Sequence, residues 1–494
     1  MGSAALVDQW SQPLWRINNL YTIKDKGGSA IPFRTNWAQE KFCEDMWFLN
    51  LILKARQMGF TTFIQIFMLD ACLFNSNTGA GVIAHNRDDA EAFFSDKIKF
   101  AYDHLSEGLR SRIPATQDSA KSLEFNNHSR IRVGTSLRSG TFQYLHVSEF
   151  GKVCAKYPDK AKEIVTGAFN TVEAGQFIFV ESTAEGNSGA FHDMCQKAQN
   201  DDKEGRPRTK LDFRFHFYAW WQDSSYRLDE ADTAATIITA EDEKYFAAVE
   251  AEMRVTLDAG QRAWYVKKRQ TQQSGMKREF PSTPGEAFEA SVEGAYFVTE
   301  MAKVREQGRI CKIPILNKPV DVYWDLGVGD AMSLTFVQTS GMEVRIIDYY
   351  ENSGEGFEHY AKVLHDKGYI YGRHFFPHDG DHRTLGAVAK TKREWAIEAG
   401  IKPVEIVPRI PTEAAGIAAS RSYLPQCYFD ETRTARLIKC LDSYRKDWDD
   451  KLGVWKDTAR HDEFSHGYKS FETAAVAPRI GISKPINYSN RGIV

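Results

Sequence analysis

Lys54-Ala55-Arg56-Gln57-Met58-Gly59-Phe60-Thr61-Thr62 stands between two apolar runs. Trp47-Phe48-Leu49-Asn50-Leu51-Ile52-Leu53 leads in, and Phe63-Ile64-Gln65-Ile66-Phe67-Met68-Leu69 leads out with helical spacing. Strand, tight turn, helix N-terminus is the layout of a phosphate-binding loop. Backbone N–H groups of the turn, at Gln57 and Gly59 among others, surround a polyphosphate in such a loop, and Thr61 or Thr62 sets a hydroxyl on Mg²⁺. The usual loop carries lysine between its glycine and its Ser/Thr, and here Phe60 holds that position. Lys54 at the front of the loop, or Arg56 inside it, can bring a positive charge back over the phosphates. The competing reading is an ordinary strand–turn–helix whose glycine only makes the turn.

Upstream, Gln39 lies near Trp37 and Phe42. A glutamine beside an aromatic at this point can read an adenine edge, or it can simply face solvent at a helix start. Downstream, Gly81-Val82-Ile83-Ala84-His85 reads as a buried strand, followed by an amphipathic helix from about Arg87 to Leu105. Leu123–Phe125 and Ser129–Gly134 read as strands. Gln143–Phe150 ends an apolar strand in Glu149, and Gln176–Gly186 does something similar. Strands alternating with helices predict a parallel α/β sheet with a ligand site at the strands' carboxyl ends. Glu149 can activate water for attack on a γ-phosphate, or cap a helix. Ser148 stands where a magnesium-associated Asp is usual. Ser182 and Thr183 can sense the γ-phosphate or cap the next helix. Arg138, in a Ser/Gly-flanked loop, can be an arginine finger or a solvated loop residue.

The chain has 494 residues, 42% hydrophobic and 26% charged, with a net charge of −3. Large packed cores follow, wholesale disorder does not, and a uniformly basic nucleic-acid coat is excluded. Seven scattered cysteines without paired C-x-x-C spacing fit a reducing compartment, and the sequence offers no zinc or disulfide framework. No apolar run is long enough to span a bilayer and no signal peptide is evident, so a soluble protein without membrane contact is expected.

Residues 222–300 read as a charged helical subdomain and linker. Beyond them, Val320–Asp330, Ala331–Gln338 and Glu343–Tyr350 read as three hairpin-connected strands. A helix (Glu358–Lys367), a strand (His374–Asp379), another helix (Arg393–Ala399) and a late helix opened by His461–His466 follow. An acid on the first strand (Asp325), one ending the fourth (Asp379) and one at the late helix (Asp462) is the layout of a ribonuclease-H-like nuclease. Shared carboxylates there hold two Mg²⁺ or Mn²⁺ ions around a scissile phosphate. Asp330 and His466 are candidates to support them.

Taken in order, these segments resemble the large terminase subunit of tailed bacteriophages. The resemblance is carried by Lys54–Thr62, by Tyr144-Leu-His-Val-Ser-Glu149 and by Glu181-Ser-Thr-Ala-Glu-Gly186. It is carried further by Arg278-Glu-Phe-Pro-Ser-Thr-Pro-Gly-Glu-Ala-Phe288, Asp325-Leu-Gly-Val-Gly-Asp330, Pro377-His-Asp379 and His461-Asp-Glu-Phe-Ser-His466. It implies an α/β protein in four parts. A P-loop-type ATPase of the additional-strand, catalytic-Glu class spans 1–220, and a helical linker subdomain spans 221–300. A ribonuclease-H-like nuclease spans 301–478, and a tail spans 479–494. It further implies ATP and Mg²⁺ as cofactors, Mn²⁺ at the nuclease site, and double-stranded DNA, a small terminase subunit and the portal protein as partners. The working form would be a homo-oligomeric ring on the portal, the free form a monomer, and the place the host cytoplasm during phage assembly, outside the mature virion. Three positions depart from the family pattern: Phe60, Ser148, and Lys469, where many relatives carry another acid.

Two rival readings are a helicase–nuclease acting on repair or replication intermediates, and a DNA-binding scaffold with a decayed nucleotide fold. A helicase needs a second ATPase-like lobe, and nothing after residue 300 repeats the loop pattern. Retention of Lys54, Arg56, Glu149 and the three acids in order argues against decay.

Overall fold

The structure, a computed structural model, describes residues 9–289, 294–327, 331–382, 390–449 and 454–477. The tail from 479 and the Val328-Gly329-Asp330 part of the acidic turn lie outside them. The chain divides into two compact units, Met1–Glu293 and Gly294–Val494.

The first unit is built on one sheet of eight strands: β1 (Leu49–Lys54), β2 (Gly79–Ile83), β3 (Ala115–Asp118), β4 (Ser122–Phe125), β5 (Arg130–Gly134), β6 (Phe142–Ser148), β7 (Val172–Ser182) and β8 (Phe213–Tyr218). Their order is β8-β1-β7-β6-β2-β5-β4-β3. The pairings from β8 through β5 are parallel, and β4 and β3 add an antiparallel edge. β7 therefore lies between the strand that feeds the loop and the strand that ends before Glu149. That inserted strand defines the additional-strand class of ATPase folds.

Every residue of β1 is buried, as expected of a central strand covered on both faces. Side chains alternate between the faces. Ile52, Phe179 and Val82 join one core, with Phe60 and Phe63 of the following helix, while Leu51, Leu53, Val180 and Val147 join the other. That helix, Phe60–Phe74, begins straight after the loop. Asp70 on it is buried in a double hydrogen bond from Arg16 and accepts the Tyr21 hydroxyl at 2.9 Å. The N-terminal arm, helix Pro13–Leu20, is thus pinned to the loop helix by a buried ion pair. The expected long helix after β2 is present but broken in register, because Phe94–Lys99 forms a π-helical turn between two α-helical pieces. Helices Ala240–Met253 and Ala259–Gln272 form the charged segment.

The second unit carries a sheet of seven strands: β9 (Ile310–Cys311), β10 (Val320–Asp325), β11 (Ala331–Ser340), β12 (Glu343–Ser353), β13 (Tyr371–Phe376), β14 (Val404–Ile406) and β15 (Cys427–Asp430). The order is β9-β15-β12-β11-β10-β13-β14. β10, β11 and β12 form the antiparallel meander the sequence predicts, and β13 and β14 extend it in parallel from β10. This 3-2-1-4-5 arrangement of the meander and its two added strands is the ribonuclease-H-like sheet. The strands β14 and β15 were not foreseen, being too short for a period-2 pattern to stand out. Helix Ser465–Val476 packs on β10 and β11 through polar contacts. Ser333 Oγ donates to His466 O at 2.7 Å, and Thr473 Oγ1 donates to Trp324 O at 3.2 Å. Among the described residues, no helix is long and apolar enough to cross a membrane.

Candidate functional site

In the first unit the strand register brings the chemistry together. Ser148 pairs with Glu181, and Glu181 with Ile52. Residues in register share a face, as do residues two apart. His146, Ser148, Glu181 and Lys54 therefore project from one face of three adjacent parallel strands, at or near their carboxyl ends. This is the face covered by the loop helix. Such strand ends are where α/β sheets hold ligands.

The loop above them turns through two left-handed residues, Gln57 (φ 65°) and Gly59 (φ 73°). Gly59 is the N-cap of the helix, and a Cβ there would lie 2.7 Å from Gln39 Nε2. The first N–H groups of a helix have no intrahelical acceptor and face outward from its N-terminus. Phe60 is fully buried against Phe42 and Tyr218, its ring 4.7 Å from that of Tyr218. The position that usually supplies lysine is thus turned into the core, and no cation can come from it.

Lys54 supplies the charge at this point. Its side chain is 7% exposed, with Nζ 3.1 Å from Glu181 Oε2 and 3.9 Å from Glu149 Oε1. Burial disfavours the ammonium, but Glu181 and Glu149 outweigh it and raise its pKa. Arg56 points elsewhere. It is 61% exposed and bound to Glu279 at 2.9 Å, while its N–H is taken by Glu279 O and its carbonyl by the Tyr226 hydroxyl. Of the two cations the sequence leaves open, only Lys54 faces the acids.

Glu181 is the hub that the sequence reading quoted without giving it a role. It is fully buried, and its Oε1 accepts both Thr61 Oγ1 and Ser148 Oγ at 2.7 Å, with His146 Nε2 at 3.5 Å. Burial opposes its ionisation, but Lys54, His146 and Thr61 overcome that and hold its carboxyl well below the ordinary range. No sequence pattern marks β6 and β7 as neighbours, which is why the acid opposite Ser148 went unseen.

Glu149 sits at the strand-to-helix turn in left-handed backbone, φ 54° and ψ 41°. That conformation costs a non-glycine residue roughly 1–3 kcal/mol and is found where function fixes it. Burial pushes its carboxyl pKa up, Lys54 pulls it down and Glu181 pushes it up again, for a net rise. Lys97, on the π-helical turn, is half-buried, and its pKa is lowered by burial and raised in part by Glu181.

Several expected contacts differ. Gln39 is buried and braces the loop: Nε2 donates to Gly59 O at 3.1 Å, and Oε1 accepts Asn36 N–H at 3.1 Å. Its carboxamide thus braces the loop through one N–H and one carbonyl lone pair. Gln57 Oε1 accepts Lys26 Nζ at 2.8 Å, which leaves its backbone as the part that faces the loop. Ser182 Oγ accepts Gly151 N–H at 3.0 Å, capping the helix after Glu149. Thr183 is buried beside it, and Thr62 is half-buried in the first turn of the loop helix. Arg138 is 63% exposed and paired with Glu163 at 2.5 Å.

In the second unit Asp325 and Asp379 line one cavity of about 340 Å³, with Glu413, Lys469 and Glu472 on its wall. Asp325 Oδ2 lies 3.1 Å from His466 Nδ1, and Asp379 Oδ2 lies 2.6 Å from Lys392 Nζ. Asp325, Glu413, His466 and Lys469 also border a second cavity of about 310 Å³. Lys469 bonds Glu472 at 2.7 Å. The third expected acid, Asp462, lies just ahead of the late helix, which starts at Ser465: Oδ1 accepts the N–H of Phe464, the residue before the helix, at 3.0 Å, and Oδ2 lies 3.7 Å from Arg460. Burial raises the Asp462 pKa. Among the described residues, no group of three His, Cys, Asp or Glu side chains is arranged to hold a metal ion. Asp325, Asp379, Glu413 and Glu472 bring four carboxylates to one cavity, hard oxygen ligands of the kind a divalent cation takes.

The chain is similar to phage large terminases. The large terminase of bacteriophage HK97 matches at 13% identity over 95% of this chain and 98% of that one, with a TM-score of 0.44. The ATPase domain of the Thermus phage P74-26 large terminase matches at 14% identity over 51% of this chain and 94% of that one, TM-score 0.32. The large terminase nuclease of thermophilic phage G20c, with bound cobalt, matches at 12% identity over 37% of this chain and 97% of that one, TM-score 0.26. No protein-family model and no curated protein matches the sequence.

Proposed function

We propose that the chain is the ATP-hydrolysing, DNA-cleaving subunit of a phage packaging motor, driving double-stranded DNA into a capsid and cutting the concatemer. The observation that carries the hydrolytic half is the meeting of Lys54, Glu149, Glu181 and Thr61 at the loop helix's N-terminus. The donor set fits a nucleoside triphosphate with a divalent cation: unpaired helix N–H groups, a buried ammonium, a hydroxyl and two carboxylates. Bound ATP supplies the γ-phosphoryl group for transfer to water, with Mg²⁺ screening its charge. Lys54 neutralises phosphate oxygens from the strand end. Glu149, its pKa raised, accepts the proton of the attacking water on its carboxylate. Arg138, on an exposed loop, provides a positive charge to the nucleotide of a neighbouring subunit.

The nuclease half rests on Asp325 and Asp379 sharing a cavity in the second unit. Residues 221–300 serve as the helical linker subdomain. The small terminase subunit and the portal are its partners, a ring on the portal is its working form, and the host cytoplasm is its place of action. The helicase reading lacks support because the second unit has a ribonuclease-H-like sheet where a second ATPase lobe would be needed. The test is phosphate release by the full chain with and without double-stranded DNA, alongside a strand-separation assay and plasmid cleavage. DNA-stimulated phosphate release and plasmid cutting without strand separation are expected. Strand separation, or no ATP turnover under any condition, sinks the proposal.

A further inference from the structure

We propose that Glu181 supplies, from the adjacent strand, the carboxylate that positions Thr61 and the divalent cation of the nucleotide site, a place Ser148 cannot fill. The inference rests on the ATP-hydrolysing reading above. In phosphate-binding loops the cation is held by the loop's Ser/Thr and by an acid at the end of a nearby strand. Ser148 is at that strand end and carries no charge. Directly opposite it in register stands Glu181, one strand nearer the loop.

Three features make Glu181 a replacement and not a chance neighbour. The first is hydroxyl chemistry. A hydroxyl has one proton and two lone pairs. Thr61 gives its proton to Glu181 Oε1 at 2.7 Å, so its lone pairs face away from Glu181, free for a cation. The second is volume. Ser148 and Glu181 are both fully buried, and Ser148 Oγ donates to the same Oε1 at 2.7 Å. A short residue at 148 makes room for a long acid at 181. Two acids there would place like charges against each other in a buried site. The third is the cation on the far side. Lys54 Nζ, 3.1 Å from Oε2, keeps the carboxylate ionised without covering Oε1. Glu181 is therefore a positioning residue: it orients Thr61 and holds negative charge beside the cation's place.

The experiment measures ATP affinity of the full-length protein by calorimetry, in excess EDTA and across a Mg²⁺ titration. Three variants are compared with the wild type: Glu181→Gln, Ser148→Asp, and the exchange Ser148→Asp/Glu181→Ser. Circular dichroism reports folding. The expected result is that wild-type affinity rises with Mg²⁺. Glu181→Gln should need roughly 10–100-fold more Mg²⁺ for the same gain, the range for lost support around a metal, while its affinity in EDTA holds. Ser148→Asp alone should be impaired, and the exchange should recover the Mg²⁺ response. A purely structural Glu181 predicts the opposite pattern, an unchanged Mg²⁺ response in every variant that folds, and that result overturns the inference. If Glu181→Gln does not fold, the exchange variant decides alone. Its Mg²⁺ response supports the inference, and its failure to fold or to respond overturns it, because the claim is that either strand can carry the acid. Absence of ATP binding by the wild type overturns the ATPase reading itself, and the inference with it.

Discussion

Ser182 Oγ accepts the backbone N–H of Gly151 at 3.0 Å, so the end of β7 is tied to the helix that begins just after Glu149. A Cβ at Gly151 would lie 2.7 Å from Thr183 O, which shows how closely the two segments are pressed together. The helix that follows Glu149 and the segment that follows Glu181 are therefore joined by a buried hydrogen bond.

Ser182→Ala removes that acceptor. The buried N–H of Gly151 is then unsatisfied, at a cost of about 1–3 kcal/mol. Hydrolysis should fall more than nucleotide affinity, because Glu149 is set by the start of its helix while Lys54 and the loop are untouched. Phosphate release set against calorimetric ATP affinity reads this directly. Equal losses in both would mean that Ser182 contacts the nucleotide.

Lys54 and Arg56 should separate cleanly. Lys54→Gln removes the charge facing the acids, and hydrolysis should drop roughly 10²–10³-fold. Arg56→Gln removes an exposed guanidinium from the buried Glu279, which keeps Arg278 at 3.1 Å, and turnover should stay within a few-fold of wild type. The reverse ranking would show that the loop rearranges to bring Arg56 inward when nucleotide binds.

The strand–turn–helix at 49–74 and the meander at 320–353 were legible because long buried runs and hairpins carry their own periodicity. Lateral order was not legible. Nothing in the residues says that the strand ending at Ser182 lies between those ending at Lys54 and Ser148, and Glu181 has its role only because of that order. The same blindness affected Gln39, whose partner Gly59 lies 20 residues on.

Glu149 gives a pH dependence with a defined sign. As a base it works only when ionised. Burial, the largest influence, raises its pKa above the ordinary carboxyl value of 4.5. Turnover should therefore fall as pH drops through a pKa higher than that of a solvent-exposed glutamate, and recover on return to neutral pH. Glu149→Gln should abolish turnover and leave ATP affinity intact. A rate that is flat down to the ordinary carboxyl range would assign the base elsewhere.

Arg138 is exposed and pairs with Glu163, which also accepts Ser136 Oγ. A finger acting across subunits should make activity rise steeply with protein concentration. Arg138→Ala protein mixed with Glu149→Gln protein should regain turnover, because one supplies the finger and the other receives it at an intact site. A mixture no more active than its parts excludes a role across subunits.

The acids of the second unit should behave unequally. Asp325 and Asp379 face the same cavity, so each of Asp325→Ala and Asp379→Ala should abolish plasmid cutting while ATP turnover persists. Asp325 lies beside His466, and Asp379 pairs with the Lys392 ammonium. Cutting should need Mg²⁺ or Mn²⁺, since carboxylate oxygens favour hard cations, and should show little sequence preference, since phosphate contacts carry no base information. Asp462 instead accepts Phe464 N–H in the turn just ahead of the helix Ser465–Val476 and lies beside Arg460. Losing one such hydrogen bond typically costs about 0.5–1.5 kcal/mol, so Asp462→Ala should lower the unfolding temperature. Asp462→Asn, which keeps the acceptor but not the charge, decides between the two roles. Cutting should survive in Asp462→Asn if the residue only holds this turn. If cutting is lost with the melting temperature unchanged, Asp462 joins Asp325 and Asp379 when DNA and metal bind, and the turn seen here is the resting position of the third ligand.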